Sequence, residues 1–185
     1  MPSFGLHFAL TLFFVAACLK EDELKPAFFL LLFGVICDFD CFLGVHRATL
    51  HNIFIIFIPL LILAILKCLK VNTRGIKDKY FFITSLLLAF HIFLDAFHNG
   101  VFLFYPFSEQ SYDLEFWFGL KETGLSALFT WMVPGNVGEI VYIIIPSPSV
   151  PEIPIIGSGT ELVILIFALL TFFLKFKEKH SYKEI

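Results

Sequence analysis

The sequence predicts an all-α integral membrane bundle of about five transmembrane helices, with an extracytoplasmic cap between the fourth and the fifth. Three observations carry that expectation. Of the 185 residues, 58% are hydrophobic and 26 are phenylalanine, against the roughly 45–50% apolar content of soluble domains. The excess is gathered into runs that approach the roughly 20 residues a helix needs to cross a bilayer. Short polar turns and a basic loop separate the first four runs, a segment broken by Gly and Pro precedes the last, and a basic tail follows it. The whole chain, 1–185, reads as one membrane domain, and the class that follows is a multi-pass protein of the cell (inner, cytoplasmic) membrane.

The first run covers 4–19. It lacks the positive leading region of a signal peptide, since no Lys or Arg precedes Lys20, and it reads as a retained helix. After the polar turn KEDELKP, Pro26 suits a helix first turn and opens the second run, 26–45. The third run is 51–66, with Pro59 as a kink point. A basic loop precedes the fourth, 80–98, which Asn99-Gly100 closes as a helix C-terminal signal. The segment 101–156 reads as the cap: short apolar pieces alternate with Gly and Pro, EIVYIII (139–145) has strand character, and PSPSVPEIP argues against a span. Ser158-Gly-Thr-Glu161 is a capping-box pattern ahead of the fifth helix, 160–174.

Charge sets the orientation. The loop between runs three and four carries five basic residues, the first turn two and the tail four, so five spans put eleven of the 13 Lys and Arg on one side. By the positive-inside rule that side is cytoplasmic. The amino terminus and the cap are then extracytoplasmic, and the carboxy terminus is cytoplasmic. No basic stripe with interleaved aromatics suggests nucleic acid, and none is expected as a partner. The partner is the lipid bilayer.

Into this apolar chain the stretch CDFDCFLGVHRATLH, Cys37 to His51, places two aspartates, two histidines and an arginine. A second stretch, HIFLDAFHNG, adds His91, Asp95 and His98. At about 1.5 Å of rise per residue from the cytoplasmic basic residues, His7, Asp38, His51, His91 and Asp95 all fall roughly 18–24 Å up. That is one level in a core about 30 Å thick. His91, Asp95 and His98 share one helix face, within an arc of roughly 60°. Asp38 and Asp40 would diverge by about 200° on a regular helix, so serving one site requires the helix to unwind there.

An ionisable residue at a helix centre costs about 2.5–3.5 kcal/mol on insertion scales and marks a functional site by default. Carboxylate with imidazole is ligand chemistry for zinc, manganese or iron. A salt-bridge network built on Arg47 would account for one or two aspartates but not for the histidines. The expected ligands are His7, Asp38, Asp40, His46, His51, His91 and Asp95, holding zinc or manganese and more than one ion. Asp38 and Asp40 are also catalytic candidates, one of them as general base. Arg47 is the candidate clamp for a phosphate, which a guanidinium grips bidentately. Cys37 and Cys41 read as small apolar fillers.

The leading expectation is hydrolysis of a phosphate ester by metal-activated water, with a phospholipid among the substrates to test. The alternative is a divalent-metal carrier or sensor without catalysis, which would want polar residues continuing to the cytoplasmic side. Only Thr84 and Ser85 interrupt the inner halves of the runs. A di-iron oxygenase would need H-x-x-x-H and H-x-x-H-H boxes and an intramembrane zinc protease H-E-x-x-H; none occurs.

In order and spacing, His7, Asp38-x-Asp40, His46-Arg47, His51, His91-x-x-x-Asp95 and Pro106-Phe107-Ser108 resemble the YdjM-like, LexA-binding, inner-membrane-associated family of membrane-bound metal-dependent hydrolases. The resemblance covers the chain to about residue 108. It departs from the family pattern at Cys37 (usually Pro), at Ala48, Leu50 and Asn52 (Gly, Thr and Ser), and near His98, which stands by the usual Thr. What it implies is a metal-dependent hydrolase. The H-x-x-x-D element is also similar to the helical metal motif of zinc-dependent phospholipases C and P1-type nucleases, which implies phosphoester chemistry.

Overall fold

The computed structural model describes residues 3–43, 45–71, 76–97, 100–121, 124–130 and 155–181. Helix α1, Phe4–Cys18, starts at the cap Ser3, whose Oγ accepts from the Leu6 N–H. Helix α2 is Leu24–Phe33 and α3 the single turn Asp40–Leu43, separated by a 3-10 turn at Ile36–Phe39. Helices α4, Ile53–Cys68, and α5, Asp78–Ala96, follow, and α6 is Gly159–Ser181. The helical bundle expected from the sequence is thus present, and α6 runs seven residues past the expected end at 174.

Two expectations need correction. The second run is not one helix over 26–45: α2 stops at Phe33. The backbone leaves the helical region at Val35, with φ −130 and ψ 0, directly after Gly34, where a Cβ would fall 2.0 Å from Thr11 Oγ1; only a glycine lets the chain pass this close to α1. The fold is also not purely helical. Strands β1, Glu115–Lys121, and β2, Gly124–Thr130, pair antiparallel as a hairpin inside the segment assigned to the cap. The strand expected at 139–145 lies outside the described residues, as does His98.

In lipid, helices gain little from burying apolar surface and associate through close van der Waals contact, which favours small residues at their interfaces. Ala9 and Ala16 of α1, Ala27 of α2 and Ala168 of α6 are all buried in one core cluster with Leu12, Leu30 and Phe172. Helix α1 packs on α6 and α2, and α5 on α4 and α2. A second cluster, Cys37, Leu88, Ile92, Ala96 and Val101, sits beside the polar stretch. Large apolar side chains such as Phe28, Phe57, Phe82 and Phe167 point outward. Helix α5 and residues Gly159–Phe176 of α6 are long and apolar enough to cross a membrane, while α1 and α4 are apolar but shorter.

Expected caps hold with one change. The Glu161 N–H donates to Ser158 Oγ, but the Glu161 carboxylate reaches the Gly157 N–H and Ser3 Oγ instead of closing the box. It thereby ties the start of α6 to the start of α1.

At the other end of the bundle, Glu23 is buried and joins α2 to α5. Its carboxylate accepts from Lys77 Nζ at 2.7 Å, Lys79 Nζ at 2.5 Å and the Tyr80 hydroxyl at 2.8 Å. Burial alone would raise its pKa, but the three donors outweigh burial and hold it well below the ordinary carboxylate range. A folded-state pKa below the unfolded value of 4.5 means this stabilisation is complete above that pH and is lost as pH falls toward the folded value. Glu23→Gln is expected to destabilise the protein by about 1–3 kcal/mol at neutral pH. The gap between variant and wild type should narrow below pH ~4.5, read by thermal unfolding in detergent. A gap independent of pH would contradict the charged-clasp account.

Candidate metal centre

Five elements deliver the polar side chains. Helix α1 contributes His7; the 3-10 turn, Asp38; α3, Asp40; the loop before α4, His46, Arg47 and His51; and α5, His91 and Asp95. The unwinding at Gly34 lets both aspartates of D-x-D face inward, since Asp38 and Asp40 are both buried. Asn52, in place of the family's usual Ser, caps α4 by accepting from the Phe54 and Ile55 N–H groups. Asn serves as well as Ser there, so that departure keeps the turn.

Two groups of ligand-type atoms form, each within 4.8 Å of one another: His7, Asp38, His91 and Asp95, and beside them Asp40, His46 and His51. Asp95 is the hub. Its Oδ1 lies 3.0 Å from His7 Nε2, and its Oδ2 lies 2.8 Å from His51 Nε2 and 3.6 Å from His91 Nε2. Asp38 Oδ1 is 3.4 Å from His91 Nε2. The His7 and His91 rings stack with centroids 4.0 Å apart.

Hydrogen bonds behind the rings fix where the protons sit. His91 Nδ1 is 2.8 Å from the Gly34 carbonyl oxygen, which can only accept. His51 Nδ1 is 2.8 Å from Asp40 Oδ2, again an acceptor. Both Nδ1 atoms therefore carry hydrogen. His51 Nε2 also lies 2.8 Å from Asp95 Oδ2, so that ring is an imidazolium between two carboxylates unless a cation takes the place of its Nε2 proton; a neutral His91 presents an Nε2 lone pair toward it. Those two nitrogens face each other at 3.3 Å. Lone pair against lone pair is repulsive unless a cation or a proton lies between. Two imidazole nitrogens on one tetrahedral zinc, each about 2.0–2.1 Å from it, would be about 3.3 Å apart. Backing each ligand ring with a carbonyl or carboxylate is how proteins orient metal-binding histidines.

Charge and satisfaction agree with this fit. Three buried carboxylates (Asp38, Asp40, Asp95) stand against one buried guanidinium, Arg47, a deficit of two positive charges in a region poor in water. Among the described residues, His7 Nδ1, Asp38 Oδ2 and His46 Nε2 have no hydrogen-bond partner. The donor set fits a divalent cation.

Arg47 turns its guanidinium toward Asp95. Its guanidinium donates to the Gly100 carbonyl at 2.8 Å, and Nη2 stands 3.8 Å from Asp95 Oδ1. Its backbone has φ 65, a left-handed conformation uncommon for a residue with a side chain, and its N–H donates to Asp40 Oδ2. Asp40 thus accepts from His46 Nδ1 at 2.6 Å, His51 Nδ1 and the N–H groups of Arg47 and Leu50. The strap after α5 closes the outer side: Phe102 N–H donates to the Arg47 carbonyl, Val101 bridges Tyr112, and Leu114 N–H donates to the Ala96 carbonyl. Gly100, at φ 69 with Ser111 Oγ where a Cβ would go, makes that tight turn.

Sequence reasoning missed the Gly34 and Gly100 carbonyls, because backbone acceptors leave no mark on residue type. Cys37 is buried among apolar residues, as read.

A family model described as YdjM inner membrane protein matches residues 1–180. The chain belongs to the YdjM inner membrane protein family. No curated protein and no solved structure matches it. Within a YdjM protein, then, the buried His/Asp groups lie among apolar helices of which two have the length and composition of membrane spans.

Proposed function

We propose that this YdjM protein is a metal-dependent hydrolase of phosphate esters, built on five membrane spans with its amino terminus and metal centre extracytoplasmic and its carboxy terminus cytoplasmic. The observation that carries the reading is the approach of His51 Nε2 and His91 Nε2 to 3.3 Å, with Asp95 Oδ2 2.8 Å from the first of them. The orientation is supported by Lys67, Lys77, Lys79 and Lys175 lying at the helix ends opposite the centre.

His7, His51, His91 and Asp95 would hold the ion in this reading, with Asp38 beside them, Oδ1 3.4 Å from His91 Nε2, and a position left open for water. Zinc suits the donors best, with manganese the alternative. A bound divalent ion acidifies water and polarises a phosphoryl oxygen. Asp38 Oδ2, which has no partner among the described residues, takes the proton from the attacking water as general base. Arg47, its guanidinium already aimed at the ligand carboxylate, meets the phosphoryl oxygens. Asp40 and His46, whose ligand-type atoms are the basis for expecting a second ion, act here behind the first: both Asp40 oxygens are taken up by N–H donors.

Metal content by mass spectrometry on detergent-purified protein tests the reading. About one zinc or manganese per chain is expected, together with chelator-sensitive hydrolysis of a phosphomonoester. A metal-free protein that stays folded and unchanged after chelation would overturn it, and His51 would then have to be an imidazolium bridging Asp40 and Asp95.

A further inference from the structure

The Glu23 clasp and the metal centre stand at the two ends of one groove. Between α2, α4 and α5 runs a cavity of about 760 Å³, inside the roughly 300–1,000 Å³ range of ligand pockets. Phe29, Phe33, Ile58, Ile62 and Phe81 wall its length. Charged side chains enter only at one end, from Asp22, Glu23 and Lys77. The other end is lined by Cys37, Leu50 and Leu88. Each of these three comes from a different element and stands beside a proposed ligand: Cys37 precedes Asp38, Leu50 precedes His51, and Leu88 lies one turn before His91. The groove therefore ends against the centre.

It also opens sideways. Phe29 is 62% exposed, and Ile58 and Ile62 are each 44% exposed, on helices that in the five-span reading face hydrocarbon. From Tyr80 to Leu88 the groove follows α5 for about 12 Å, well short of the hydrocarbon core. A helix from a second copy would need roughly 30 Å to cross and would run past both ends. A single flexible hydrocarbon chain fits the length, the apolar walls and the lateral opening.

We infer that the substrate is a phosphoester lipid, whose headgroup reaches the centre while one of its chains lies in the α2–α4–α5 groove; this rests on the hydrolase reading above. The inference makes the groove the determinant of substrate class.

The test uses a phosphatidic acid bearing a photoactivatable diazirine near the end of one acyl chain, in mixed micelles with the full-length protein. Labelling is expected on peptides of α2, α4 and α5. It should fall at least fivefold in Ile58→Trp, which fills the groove far from the ligands, and stay unchanged in Phe173→Trp on the exposed face of α6. Turnover of the lipid should drop in parallel, with metal content and p-nitrophenyl phosphate turnover unaltered. Label spread evenly over α6 as well, or lipid turnover indifferent to Ile58→Trp, overturns the inference. Groove labelling lost in Ile58→Trp with no hydrolysis of either compound by the metal-loaded wild type keeps the groove as a lipid-chain site and removes the hydrolase reading.

Discussion

Replacing Asp95 with asparagine is expected to strip the metal from the protein and reduce hydrolysis to background. Asp95 touches three imidazoles and faces Arg47, with Oδ1 on His7 and Oδ2 on His51 and His91. An amide has one acceptor oxygen where the carboxylate has two, and its NH2 would point a donor at a ring nitrogen or at the ion. Asparagine also leaves the Arg47 charge without its carboxylate. Breaking a buried ion pair costs about 3–5 kcal/mol, against total stabilities of about 5–15 kcal/mol, so Asp95→Ala, which adds a cavity, is at risk of not folding. Asp95→Asn keeps the volume and carries the test. Metal content and a thermal unfolding curve on the same sample separate the outcomes: a folded variant without metal supports the hub role. A folded Asp95→Asn that retains its full metal content sinks it.

Much of this centre was legible in the sequence because its logic is one of level and face. His91 and Asp95 are one turn apart, and on α5 both are buried. Counting residues from the basic ends put His7, Asp38 and His51 at the same depth, and the structure brings these residues together with His91 and Asp95. Local spacing could not reveal what depends on a partner far along the chain. Gly34 carries no local mark within its apolar run; what requires a glycine there is Thr11, from another helix. Arg47 reads as a phosphate clamp, but nothing in its neighbours reveals that a left-handed backbone turns the guanidinium to Gly100 and Asp95. Glu23 reads as one charge in a solvated turn. Its burial follows from the approach of α5, which brings Lys77, Lys79 and Tyr80 to it. The hairpin of Glu115–Thr130 was missed because no Asn-Gly or Asp-Gly pair marks its turn and its apolar residues fall in clusters around glycines.

The same distinction between a residue's type and its hydrogen bonds decides what Asp40 does. By type it is a ligand; by geometry it is an acceptor already filled. His46 Nδ1, His51 Nδ1 and two backbone N–H groups converge on its oxygens, and the bond to His51 is what leaves that ring's Nε2 bare toward the ion. Asparagine at this position can accept from one imidazole only, and its NH2 would oppose the other ring's N–H. If His51 turns or changes tautomer, its hydrogen points into the cluster. Asp40→Asn is therefore expected to weaken metal affinity by about 10–100-fold, the usual cost of losing a supporting carboxylate behind a ligand. The number of ions bound at saturation should not change. Competition with a chromophoric chelator measures the affinity, and mass spectrometry of the saturated protein measures the stoichiometry. Two ions in the wild type falling to one in the variant, with the remaining ion held as tightly as before, would instead make Asp40 and His46 ligands of a second metal. Because the two outcomes differ in stoichiometry and not merely in degree, one pair of titrations separates a supporting carboxylate from a second centre.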